Sequence, residues 1–437
     1  MILRQPPWRN WARTESVRPV RVERPTTVGA VQRSVLAAER AGLTIKAVGT
    51  GHSFTGIAVA PGVQLDLFDL GGRVDVDART ARVTVAAGLP LHRLGTLLDE
   101  HGLALTNLGD IDRQTVAGAI STGTHGTGGG FAGLASQVTA LTLVTADGSL
   151  LYVSETENAD LLPAVRLGLG ALGIIVNVTL QCVPRFLLHS EEKAEPIELV
   201  LEEYLQRSGA TDHFEFFWFP HTGTALTKTN TRLAERPVGA RAARVSRWID
   251  NEVLANGAYR GVCAVGAVVP ALIPPLARLS ARATGNRAFT DASSRVFATS
   301  RTVRFREMEY ALPRENVADV VREVQHLIEA RGWRISFPLE VRSAAADDLW
   351  LSTAYGRDTG YVAVHRYVRE DPEDYFRAVE QIMIGHGGRP HWGKLHYRDA
   401  DALRGLYPRF DDFLAVRDRL DPERRFSNSY LERVLGP

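Results

Sequence analysis

Cysteine is almost missing from this sequence. Cys182 and Cys263 are the only two in 437 residues, too few for a disulfide framework or a four-thiolate metal site. A surplus of one charge is missing as well: 51 basic and 50 acidic side chains leave a formal charge of +1, without the basic footprint of a nucleic-acid binder. The longest apolar run, residues 262–277, contains Pro270, Pro274 and Pro275 and falls short of the ~20 residues that a spanning helix needs. It reads as a buried segment, and no integral membrane segment is expected. The opening MILRQPPWRNWART places Pro6, Pro7 and three arginines where a secretion signal carries an apolar core. The chain therefore reads as cytoplasmic, with at most a peripheral membrane contact. Lysine is scarce too: only Lys46, Lys193, Lys228 and Lys394 stand among the 51 basic residues.

What is present is a globular composition, 45% hydrophobic and 23% charged, in a chain long enough for one to three domains of ~150 residues. Glycine is in excess, 39 of 437 against a usual ~7%, and it clusters before residue 186. Residues 20–183 read as alternating short strands and helices. Thr26 or Thr27 caps a helix through residue 41, and a strand over 43–48 runs into VGTGHSFTG at 48–56. Strands are expected near 63–67, 73–76 and 81–86, a helix behind Pro90, and a second glycine-rich stretch, VAGAISTGTHGTGGG, at 116–130. A hairpin over 138–153 turns at Asp147-Gly148, and 168–183 passes into a buried strand. Beyond about residue 186 the glycine clusters stop. An aromatic strand at 214–219, a largely helical stretch at 246–284 and a strand at 301–311 are expected there. A helix at 315–330, a strand ending at 340–342, a strand at 361–368 and a helix after Pro372 follow.

Both glycine clusters are read as lying at strand ends, where backbone amides can hold phosphate with no side chain in the way. Neither is followed by the Gly-Lys-Ser/Thr of a P-loop. The Rossmann fingerprint also fails, because Phe54 stands where its third glycine belongs. Glu340 and Arg342, two apart on a strand, share one face, either as a plain salt bridge or as part of a site. His391 and His396 have no third ligand nearby in sequence, so no metal is expected, and without a Gly-x-Ser-x-Gly elbow a serine hydrolase is not expected either.

Taken in order, VGTGHSF, VAGAISTGTHGTG, LGALGIIVNVTL at 169–180, EVR at 340–342, HWGK at 391–394 and DPERRFSNSYLERVLGP at 421–437 resemble the vanillyl-alcohol-oxidase family of FAD flavoproteins. The likeness is strongest to its sugar-1,4-lactone oxidoreductases, with the alditol oxidases as cousins. The resemblance implies a two-domain α+β fold, with an FAD domain over 1–185 completed by about 416–437 and a substrate cap over 186–415. It implies that Gly49, Thr50, Gly51 and Ser53, in the loop closing on Phe54, cradle the pyrophosphate, and that His52 bonds covalently to the flavin. Gly118, Ser121, Thr122, Gly123, His125, Gly126 and Thr127 match the second FAD loop, Ile175 a contact to the adenine half, and His391 a residue facing the flavin. His125 equally suits a purely structural hydrogen bond. Glu340 and Arg342 match the substrate-holding pair, His365 a residue that deprotonates substrate, and Lys394 the HWGK lysine. Burial of Lys394 against Arg342 is expected to depress its pKa and let it accept a proton. Tyr367 stands where the alditol oxidases have threonine, which favours a ring over a linear polyol. The implied reaction oxidises an aldono-1,4-lactone to an ascorbate-type product, with O2, a redox protein or a quinone as electron acceptor. An alditol oxidase and a non-catalytic flavin- or sugar-binding protein are the alternatives.

Overall fold

The computed structural model describes residues 7–71, 74–233, 256–283, 285–299 and 303–437. Of the expected elements, residue 73, residues 246–255, residue 284 and residues 301–302 lie outside these, as do residues 1–6.

The first part of the chain builds two small sheets, besides the two-stranded pairs Trp8–Arg9 with Ser16–Val17 and Leu103–Ala104 with Val183–Pro184. Arg21–Glu23, Val63–Asp66 and Ile45–Val48 form a three-stranded parallel sheet. Leu150–Ser154, Val138–Val144, Ile174–Gln181, Arg82–Ala86 and Asp75–Asp77 form a five-stranded antiparallel one, in that order. The helix Val28–Arg40 begins as expected, the Thr27 hydroxyl accepting the Ala30 N–H, and buries Val31, Val35 and Ala38, one face of a 3.6-residue repeat. Pro90 leads into the helix Leu91–Glu100. The first glycine cluster follows a strand, Ile45–Val48. The second does not, for its opening residues form the short helix Val116–Ser121, N-capped by Thr115. The expectation of a strand end is corrected there: Thr115 caps this segment into a helix before its glycines can open a loop.

The later chain forms one antiparallel sheet of eight strands, ordered Arg287–Ala292, Leu187–Pro196, Thr224–Leu233, His213–Trp218, Leu339–Ala344, Thr359–Tyr367, Phe305–Pro313 and Arg389–Pro390. Helices Ile197–Ala210, Val317–Arg331 and Glu373–Gly385 cover one face and supply Val200, Val320, Val324 and Phe376 to its core. A separate, larger core joins the two small sheets to Leu403, Tyr407, Phe410, Phe413, Leu431 and Val434, so the last described helices return to the first part of the chain. Glu340 and Arg342 open their strand rather than close it.

The apolar run 262–277 is not a buried segment. It forms parts of two helices, Asn256–Val268 and Ile273–Ala283, that bury Cys263 and Ile273 but expose Val265, Val268, Val269 and Leu272. Its prolines split it into short helices packed on one side only. No helix among the described residues is long and apolar enough to cross a membrane.

Candidate active site

Thr115 sets the spacing between the two glycine loops. Its hydroxyl accepts the Gly118 N–H at 3.2 Å, and a Cβ on Gly49 would stand 2.6 Å from the same oxygen, so only glycine lets the loops close up. Gly51 has φ +72, a left-handed backbone that favours glycine. The first loop is then held from outside. The Trp11 N–H donates to Gly51 O at 2.7 Å and the Phe54 N–H to Gly393 O at 2.7 Å. The Asn428 amide donates to Gly56, Ile57 and Val59 carbonyls at 2.8–3.2 Å.

Between the loops runs a groove of about 300 Å³ lined by Gly49, Thr50, Gly51, His52, Ser53, Gly118, Ser121, Thr122 and Ile175. Lys46 also lines it. Its ammonium donates to Phe426 O at 2.8 Å, and burial pulls its pKa down to about 7 against the opposing pull of Asp421. A second cavity, about 120 Å³, adjoins the groove and shares His52, Ser53, Gln114 and Thr122 with it. It is lined by Phe54, His125, Glu340, Arg342, His365, His391 and Lys394. The structure thus brings together all but three of the expected site residues. Gly123, Gly126 and Thr127 line neither space. Gly123 O faces His391 Nε2 at 3.1 Å, Gly126 lies against Leu108 O and Asn107, and the Thr127 hydroxyl donates to Phe214 O. Tyr367 does not reach the cavity either; it stacks behind Phe337.

Strand register explains the second cavity. Glu307 lies directly opposite His365, and Ala363 pairs with Glu309 on one side and Glu340 on the other, so alternate residues of three strands converge on one face. Sequence reasoning missed Glu307 and Glu309. Two acids at i and i+2 in the strand sequence FREMEYAL were the available signal, the same spacing that picked out Glu340 and Arg342. Lys394 contacts the Glu307 carboxylate, which lies 3.5 Å from His365 Nε2. The His365 Nδ1–H donates to Pro338 O at 2.9 Å, an assignment that follows because the carbonyl can only accept.

This overturns the expectation for Lys394. Burial lowers its pKa, but Glu307, Glu309 and Glu340 outweigh that and leave it raised. Lys394 is a fixed cation, not a base. Burial likewise works against Glu307, yet Lys394 and His365 keep it ionised. Arg342 touches Glu340 and donates to Glu215 at 2.9 Å; these two carboxylates override desolvation and raise its pKa. Lys228 pairs with the other Glu215 oxygen at 3.0 Å.

His125 stacks on Tyr361, ring centroids 3.5 Å apart, and its Nε2 meets Glu309 Oε1 at 2.8 Å. His125, Glu309 and His391 are close enough for a shared cation, but His391 Nδ1 accepts the Gly393 N–H at 3.0 Å, so its lone pair is spent inside the protein. His396 is bonded to Tyr430. His52, at the junction of the two spaces, differs from these. Its Nδ1 is buried with no hydrogen-bond partner, and burial, with Lys394 and Arg113 adding to it, depresses its pKa to about 4. A neutral imidazole with an unused nitrogen, beside a groove walled in part by Gly49, Gly51 and Gly118, fits an extended flavin dinucleotide.

Residues 19–154 match the family described as FAD binding domain, and residues 178–434 the family described as D-arabinono-1,4-lactone oxidase. The L-gulono-1,4-lactone dehydrogenase of Mycobacterium tuberculosis is 45% identical over 99% of this chain and all of that one. The L-gulonolactone oxidase of Mus musculus is 34% identical over 98% of each. A solved cholesterol oxidase from B. sterolicum shares the fold at TM-score 0.82 and 19% identity, covering 99% of this chain and 96% of the other. With both halves of the chain matched and the cofactor groove in place, this protein is an FAD-dependent oxidoreductase belonging to the D-arabinono-1,4-lactone oxidase family.

Proposed function

We propose that the chain oxidises an aldono-1,4-lactone of the L-gulono or D-arabinono type at the CH–OH beside the lactone carbonyl. The 2-keto product tautomerises to an ascorbate-type ene-diol. The observation that carries this is the meeting of the two cavities at His52, with a cluster of buried polar side chains on the far side of the junction. FAD, when bound, supplies the hydride acceptor.

The chain's own residues do the rest. His365 keeps its Nδ1–H on Pro338, which leaves Nε2 to accept the hydroxyl proton, and the Glu307 carboxylate beside it compensates the imidazolium. Arg342 and Lys394, both held protonated, provide fixed positive charge in a space that must receive an electron pair. Glu340 accepts hydrogen bonds from sugar hydroxyls while orienting Arg342. The reading divides the chain into an FAD domain, 1–185, and a cap from 186. The packing of Leu403 and Tyr407 on the first core supports a return to the FAD domain somewhat before residue 416.

His52 carries the flavin covalently in this reading, through an imidazole nitrogen to the 8α carbon. Its orphaned Nδ1 and low pKa support that bond. After acid precipitation the yellow colour stays with wild-type protein and leaves with His52→Ala. The substrate is tested by anaerobic mixing with L-gulono-1,4-lactone, D-arabinono-1,4-lactone and xylitol while flavin absorbance is followed. The lactones bleach the flavin faster than xylitol, and failure of every lactone to bleach it would sink the proposal. Oxygen uptake and dye reduction, followed with the same substrates, separate O2 from a quinone or redox protein as acceptor.

A further inference from the structure

The two residues that flank His52 are pinned by one short segment near the start of the described chain. The Trp11 N–H donates to Gly51 O at 2.7 Å, and the Asn10 amide donates to Ser53 O at 2.9 Å. A Cβ on Gly51 would stand 3.1 Å from the Trp8 ring and 3.3 Å from Asn10 Cα, so the segment lies directly against the loop. The backbone around His52 is thereby fixed, but its ring is not fixed in the usual way. A functional imidazole is normally oriented by a hydrogen bond at one ring nitrogen, and His52 Nδ1 is buried with no such partner. What packs on the ring is the Trp11 indole, with centroids 5.9 Å apart and an interplanar angle of 26°, inside the range of an attractive ring pair. The indole is in turn held edge-on by Phe305 at 5.4 Å and Phe54 at 6.3 Å, and Ala12 beside it belongs to the same small core. Trp11 lines the second cavity, as His52 does.

We propose that Trp11 is the positioning residue for covalent flavin attachment, its indole holding the His52 imidazole at the angle from which a ring nitrogen reaches the flavin 8α carbon. The inference rests on the reading of His52 as the attachment site. Bond formation conserves every atom. The imidazole nitrogen bonds the 8α carbon, while one proton from that carbon and one from the imidazole stay with the flavin, which is then reduced by two electrons. Dioxygen takes the electron pair and both protons and leaves as hydrogen peroxide. Trp11 enters neither transfer; its share is orientation, and a misplacement of about 1 Å slows a reaction on the order of 10²-fold. Phenylalanine can stack on an imidazole and leucine cannot, which separates aiming from filling space. The contact to Gly51 O uses a backbone N–H, so a substitution at Trp11 removes the stacked ring and leaves that donor in place.

The test compares full-length wild type, Trp11→Leu and Trp11→Phe, each incubated in air with excess FAD. Flavin absorbance is read before acid precipitation and the colour of the precipitate after it, as a function of time. Wild type keeps its colour. Trp11→Leu binds FAD before acid yet attaches it about tenfold or more slowly, and Trp11→Phe restores most of the rate. In a His52→Ala background, where flavin binds without a bond, Trp11→Leu leaves FAD affinity unchanged. Attachment by Trp11→Leu at the wild-type rate overturns the proposal. So does a loss of FAD affinity in the His52→Ala background as large as the loss of rate, which would make Trp11 a cofactor-holding residue. Colour lost from wild type itself overturns the attachment reading and this inference together, whereas the first two outcomes spare that reading.

Discussion

Glu307 lies between two groups of the proton-transfer site: the ammonium of Lys394, which touches it, and His365 Nε2, 3.5 Å away. Its loss therefore acts on proton transfer rather than on lactone binding. Glu307→Gln is expected to slow lactone-driven flavin reduction about 10²-fold, with a smaller change in KM and an altered pH profile. A stopped-flow pH series checks this, and an unchanged rate would remove Glu307 from the mechanism. Lys394→Met leaves Glu307 buried with its strongest partner gone, a kind of deletion that costs about 3–5 kcal/mol; a thermal melt reads it. The scarcity of lysine in the sequence singled out Lys394 correctly as a cavity residue, yet its chemistry was inverted. The cause is register. Glu307 and Glu309 come from a strand some 85 positions earlier, and nothing local to HWGK shows that two carboxylates lie across from it. Three of the four lysines, Lys46, Lys228 and Lys394, are engaged in internal contacts, so the compositional oddity reflects where lysine is used, with arginine elsewhere.

Elements place these residues, and the sequence revealed most of them. The helical period of Val31, Val35 and Ala38, the Asp147-Gly148 hairpin and the alternation in EVR all appear as expected, because each rests on neighbours in sequence. What could not be read was the partner of each loop. Gly126 looked like a cofactor residue and is instead a packing residue: a Cβ there would lie 2.3 Å from Leu108 O and 2.5 Å from Asn107 Oδ1. Gly126→Ala should lower stability by about 1–3 kcal/mol without changing the flavin spectrum, as calorimetry and absorbance together would show. His213 ties the eight-stranded sheet to the same loop, donating from Nδ1 to Thr127 O at 2.7 Å while Arg232 donates to its Nε2. Burial pulls its pKa from 6.5 to about 4, so the folded state binds fewer protons than the unfolded chain between those values. Its stabilising share is complete above pH 6.5 and lost as pH falls toward 4, amounting to about 3 kcal/mol. His213→Gln should flatten the acid limb of a melting-temperature series between pH 7 and 4 by that share; an unchanged limb would show that His213 does not titrate there.

At the scale of the molecule, segments far apart in sequence close on the first glycine loop. Residues 10–14 bind Gly51, Ser53 and Phe54, Trp392 and Gly393 bind Thr55 and Phe54, and Asn428 binds three carbonyls at 56–59 while its own Oδ1 caps the helix Ser429–Leu435. The family likeness implied that the late segment completes the FAD domain; which of its atoms reach the first glycine loop had no local signature. Asn428→Ala should cost about 1–3 kcal/mol. In a His52→Ala background, where flavin is exchangeable, it should weaken FAD affinity, and a fluorescence titration that finds the affinity intact would uncouple the two. The clasp also orders events in time. A nascent chain emerging from the ribosome exposes VGTGHSF hundreds of residues before Trp392, Gly393 and Asn428 are made. Flavin capture therefore belongs to the end of synthesis, and a stalled or prematurely cut chain would hold both glycine loops yet remain colourless.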